Sequence, residues 1–80
     1  ERMMSMAIYY MFWTEKYAPE LGVYHSYDIA VYEAPFFRGP TLVLRDVTPE
    51  WDLAFRMIET FNRLNLSPIH LKDAVLDMLE

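Results

Sequence analysis

Two dipeptides, Thr48-Pro49 and Ser67-Pro68, constrain this chain more than any other feature. Each sets a side-chain oxygen acceptor at a helix N-cap and a proline at the first helical position. There the missing N–H removes no hydrogen bond, and the fixed φ already suits a helix. The pattern predicts one helix from Pro49 to about Leu64 and a second from Pro68 to the C-terminus. Glu50 and Asp52 fall in the first turn of the first helix and Arg63 in its last, the charge order that the helix dipole favours. Leu53, Met57, Ile58, Phe61 and Leu64 recur at the spacing of one buried face, and Leu71, Ala74, Val75, Met78 and Leu79 do the same in the second helix. Asn65 is the expected left-handed terminator between them.

The residues before Thr48 read as strands. Met4 to Thr14 is rich in aromatics, lacks Gly and Pro, and predicts a strand. Helix is the alternative, because periodicity cannot separate the two when both faces are apolar. Its faces are Met4, Met6, Ile8, Tyr10, Phe12 and Ser5, Ala7, Tyr9, Met11, Trp13, neither of them polar. Glu15 to Glu20, with a charge pair and Pro19, reads as a turn. Leu21 to Glu33 alternates as a half-buried antiparallel strand. Residues 34–40 hold two prolines and a glycine and form a loop, and Thr41 to Val47 is the third strand. The expected architecture is a single α+β domain over residues 1–80. It is a three-stranded antiparallel meander followed by an antiparallel two-helix hairpin packed on one sheet face.

Size then raises a surface problem. The chain has 80 residues, of which 54% are hydrophobic and 16% aromatic, with six methionines. A domain this small buries only roughly 60–65% of what its unfolded chain exposes. Some of that apolar surface must stay outside, and exposed apolar patches mark interfaces. The sheet face opposite the helices has nothing left in the chain to cover it. Tyr9, Met11 and Trp13, or their alternates, are expected there. Phe36-Phe37, in a proline-bounded loop, is either a hydrophobic anchor for a partner or a loop folded back on the core. A homodimer or a protein partner is the expectation.

Other classes are disfavoured by composition. With no cysteine, disulfides, thiolate catalysis and Cys-type zinc or iron–sulfur sites are excluded, which agrees with a reducing, cytoplasmic setting. The net charge of -5 and the scattered Lys and Arg residues argue against nucleic acid and against anionic membranes. Stacking of bases on the tyrosines Tyr9, Tyr10, Tyr24, Tyr27 and Tyr32 fails on the same ground. The longest apolar run, Met3 to Trp13, is about half the length that spans a bilayer, and it lacks the basic start of a signal peptide.

Residues that could carry chemistry are few. His70, Asp73 and Asp77 share one face of the second helix, and an imidazole with two carboxylates can ligate a divalent metal. A solvated helix face with local capping by His70 explains the same residues. His25 and Asp28 point to opposite faces of a strand, so they form no local pair, and His25 is expected to be partly buried and satisfied. No Gly-rich loop, nucleophile elbow or phosphate cradle is present. No catalytic residue and no cofactor are expected.

Leu66-Ser67-Pro68-Ile69-His70-Leu71-Lys72-Asp73 resembles a segment of a family of small proteins of unknown function from anaerobic Gram-positive bacteria. Members have a strand-rich N-terminal half, a helix, and a Ser-Pro-Ile-His-Leu-x-Asp segment that opens a final helix. The likeness runs from Tyr24 to Glu80, with Tyr27-Asp28-Ile29 standing where such sequences often have Tyr-Gly-Ile. It implies the same fold, a bacterial cytoplasmic setting and no activity. The expected function is therefore a non-enzymatic interaction or regulatory module. A small metal-dependent protein using His70 and Asp73 is the alternative.

Overall fold

A computed structural model describes residues 6–80. The chain forms three strands, β1 (Ala7–Ala18), β2 (Gly22–Glu33) and β3 (Leu42–Thr48). The helices α1 (Trp51–Leu64) and α2 (Leu71–Leu79) follow. The strands make one antiparallel sheet in the order β1-β2-β3, and both helices lie on one face of it. The expected α+β meander with two C-terminal helices is what the chain adopts.

β1 runs four residues past its expected end. Glu15 and Lys16 are not a turn, because each stays in register, Glu15 opposite His25 and Lys16 opposite Tyr24. A charge pair inside an alternating strand sends one residue to each face, and Lys16 goes to a carboxylate on β2. The turn is confined to residues 19–21. There Leu21 N–H donates to the Ala18 carbonyl at 3.0 Å, and Gly22, with φ 74°, returns the chain into β2. The predicted strand positions Met4 and Ser5 lie outside the described residues.

Tyr9, Ile29, Val31, Met57, Phe61, Leu71 and Val75 form the core, with Ala7 beside them. Tyr9 meets Phe61 edge-to-face at 5.5 Å and donates its hydroxyl to the Leu66 carbonyl at 2.8 Å. Burial, with the Glu33 charge adding, pushes the Tyr9 phenol up to about 12. Ala54 joins the buried face of α1. Leu64 and Leu79, expected inward, are exposed at the ends of their helices.

Neither dipeptide makes the side-chain cap expected of it. Glu50 is extended rather than helical, so α1 begins at Trp51; Thr48 Oγ1 accepts the Glu50 N–H at 3.1 Å in a turn ahead of the helix. Ser67 makes no side-chain cap. Its backbone carbonyl accepts the His70 N–H at 2.9 Å, closing a 3-10 turn over Pro68–His70 from which α2 continues. Pro49 lies ahead of the α1 N-cap, Glu50, whereas Ser67 and Pro68 hold the expected N-cap and first positions, but of the 3-10 turn that runs into α2. The α1 terminus behaves as expected. Asn65 is left-handed at φ 50°, and its N–H and that of Leu66 donate to the Asn62 and Phe61 carbonyls, the two bonds of a Schellman end.

β3 is short and irregular. Ile29 pairs with Leu44 but Tyr27 pairs with Thr48, so Arg45, Asp46 and Val47 bulge opposite Asp28. The bulge holds Asp46 at φ 56°. Bulges bend and twist a strand locally, and this one leads β3 off the sheet toward α1.

Candidate interaction surface

Antiparallel pairing puts directly opposed residues on one face. Tyr9–Val31 and Met11–Ile29 therefore face the helices, and Trp13–Tyr27, Glu15–His25 and Tyr17–Val23 continue that face beyond them. Ile8–Tyr32, Tyr10–Ala30 and Phe12–Asp28 lie on the other face, which carries no helix of the two-helix layer. The uncovered residues are thus the alternates of those expected. Tyr9 is 1% exposed beneath α1, and Met11 is half-buried on the same side. Trp13 is 54% exposed, but only because the hairpin outruns the helices there.

Ile8, Tyr10, Phe12, Tyr32 and Phe36 line an open groove of about 530 Å³ on the uncovered face. Tyr10 packs edge-on against Tyr32 at 5.5 Å and lies 6.4 Å from Phe12. The loop after β2 turns Phe36 over the end of this groove within a 3-10 turn, Phe36–Arg38. Phe36 thus folds back onto the sheet, whereas Phe37 points away and is 84% exposed. Sequence reasoning could not choose between the faces of β1, because both are apolar. The choice is made by contacts distant in sequence, Tyr9 to Phe61 and to Leu66.

Past the groove the same face turns polar. Lys16 Nζ lies 2.9 Å from Asp28 Oδ1, and the Asp46 N–H donates to that oxygen at 2.8 Å. Arg45 stands 3.8 Å from the other Asp28 oxygen, and the Tyr24 hydroxyl donates to Asp46 at 2.6 Å. Burial pushes the Asp28 carboxyl up, but the Asp46 N–H, Lys16 and the Thr14 hydroxyl outweigh it and hold the group below the usual range. The Tyr24 hydroxyl lowers Asp46 as well. A partnered, buried carboxylate of this kind is a structural anchor for the bulge. Its sequence signal was an Asp in the middle of an otherwise apolar central strand.

His25 is exposed rather than buried. It stacks on the Trp13 indole at 5.3 Å with the rings 12° apart, and Trp13 also touches Tyr27. Partial burial is the expectation because its strand neighbours are apolar, but the helical layer ends before it. His70, Asp73 and Asp77 are exposed on and before α2, and among the described residues no three His, Asp or Glu side chains converge as a metal site would need. Among the described residues no helix is long and apolar enough to cross a membrane. No protein-family model matches the chain, and no curated protein or solved structure matches it.

Proposed function

We propose that this chain is a non-enzymatic interaction module that self-associates through the uncovered face of its sheet. One observation carries the reading: the groove lined by Ile8, Tyr10, Phe12, Tyr32 and Phe36 is apolar and aromatic and, apart from Phe36 at its end, is covered by no described element. Removing apolar surface from water is worth about 25 cal/mol per Å², and aromatic side chains are the residues enriched at the centre of protein interfaces. The polar network around Asp28 supplies a rim whose charges are already paired, so burying the groove strands no ion. A self-complementary patch of this type suits a two-fold contact in which the same residues meet from both sides. The bacterial, cytoplasmic setting implied by the Leu66–Asp73 resemblance belongs to the same proposal.

Tyr10→Glu tests it. Tyr10 is 47% exposed and outside the core, so a carboxylate there leaves the fold intact while placing charge in the groove. Light scattering on a size-exclusion column should give a mass above the monomer for the parent chain and a reduced mass for the variant. An unchanged mass would remove this face from the association.

A further inference from the structure

We infer that the free edge of β1, from Met11 to Tyr17, pairs with the same edge of a second copy, joining two three-stranded sheets into one. This contact is independent of the groove and rests on backbone geometry.

β1 is the outer strand of the sheet, so one row of its backbone groups faces away from β2. The row is identified by where it is already used. The Tyr9 N–H donates to Asn62 Oδ1 at 2.7 Å, and Asn62 Nδ2 donates to the Tyr9 carbonyl at 3.1 Å. The Ala7 N–H donates to Asn65 Oδ1 at 3.2 Å. The last turn of α1 and the cap that follows it thus present two amide side chains that stand in for a neighbouring strand. Across the sheet Val31, opposite Tyr9, gives its carbonyl to Thr41 on the β3 side, as the same alternation requires. Register is unbroken from Ala7 to Ala18, so Met11, Trp13, Glu15 and Tyr17 also turn their N–H and C=O groups outward. Among the described residues nothing bonds to these.

An open strand edge is a template for another strand, and proteins blunt such edges with proline, bulges or covering groups. Here the covering stops at Tyr9, and the first proline is Pro19 in the turn. The segment between is seven residues long, the length of an ordinary strand. Its ends also fix the register. An antiparallel pairing centred on Thr14 uses the whole free window, setting Trp13 against Glu15 of the partner subunit and Met11 against Tyr17 of the partner subunit. No like charges are directly opposed in that register. It runs the overhanging end of each hairpin alongside the partner's β1, so the exposed Trp13 and Tyr17 gain neighbours. A second copy fits better than a foreign strand because this one edge satisfies itself in a closed two-fold contact.

Two experiments test the pairing without reliance on one fold-sensitive variant. The first is Glu15→Pro in the Tyr10→Glu background, since proline is tolerated at an edge position whose N–H faces solvent. The expected result is a dimer for Tyr10→Glu and a monomer for the double variant. A Tyr10→Glu chain that is already monomeric overturns edge pairing and leaves the groove reading standing. A parent oligomer that ignores Tyr10→Glu but is halved by Glu15→Pro sustains the edge and removes the groove. The second is amide exchange on the unmutated, associated protein. Thr14 and Lys16 N–H groups are bonded to β2 and protected in every case. Protection of the Trp13, Glu15 and Tyr17 amides as well supports the pairing, and free exchange of those three overturns it.

Discussion

Asp28 is the residue at which local chemistry and strand geometry meet. It sits on the central strand at 4% exposure, and its carboxylate is the point on which Lys16, Arg45 and the Asp46 N–H converge. A carboxyl whose folded value lies below its unfolded one contributes stability above the unfolded value, near pH 4, and loses it as pH falls through the folded value. Denaturant unfolding followed from pH 7 to pH 2 should therefore show an acid limb in the parent chain. Asp28→Asn keeps an oxygen to accept the Asp46 N–H but leaves Lys16 without its counter-charge. It should cost about 1–3 kcal/mol at pH 7, and the gap should narrow toward pH 3. A gap that stays constant with pH would mean the carboxylate charge is not what holds the bulge.

At the scale of elements, what ties the helical layer to the sheet edge is a pair of asparagines at the C-terminal end of α1, Asn62 in its last turn and Asn65 in its cap. Asn62 satisfies both outward backbone groups of Tyr9 with one side-chain amide. Asn62→Ala should cost about 1–2 kcal/mol, since the freed groups are only part-buried and water replaces some of the loss. Asn62→Asp should cost less while the carboxylate accepts the Tyr9 N–H, and chemical denaturation of the two variants side by side checks this. An equal loss for both would assign the effect to helix packing instead. Much at this scale was legible in sequence. Alternation placed β2, apolar spacing placed the buried faces of both helices, and Asn65 placed the end of α1. What was not legible depended on partners far along the chain. Thr48 and Ser67 looked like caps because the dipeptide chemistry is local, yet the chain leaves the bulge at Asp46 extended through Glu50 and so delays the helix. Glu15 and Lys16 looked like a turn because the Asp28 that receives Lys16 lies on another strand. Tyr9 and Tyr10 could not be told apart until Asn62, Phe61 and Leu66 chose between them.

The whole molecule is set by a mismatch between its two layers. A twelve-residue strand spans roughly 40 Å, whereas the fourteen residues of α1 span roughly 21 Å, and β3 pairs only with Tyr27 to Val31. Beyond Trp13 and Tyr27 the sheet is a two-stranded ribbon that, among the described residues, carries no helix on either face and is covered only where the Asp46 bulge lies over Ser26; two strands alone are marginally stable in water. On the other side the aromatic groove is equally without a cover. Both defects are relieved by binding another chain, so folding and association should be linked. Ligation of the native state by a second copy raises the free energy of unfolding by about 0.7 kcal/mol per chain for each tenfold rise in total concentration above the dissociation constant, because the free monomer rises as the square root of the total. For a domain of this size about 1 kcal/mol moves Tm by roughly 4–8 °C. Calorimetry over a hundredfold range of protein concentration should therefore move Tm upward by several degrees; Tyr10→Glu should weaken the dependence and the double variant with Glu15→Pro should flatten it. Added salt should not abolish it, because the contacts are apolar and the chain's charge of -5 opposes association until it is screened. A Tm that is constant over that range would mean the ribbon and the groove are stable in the isolated chain, and the case for self-association would fall with it.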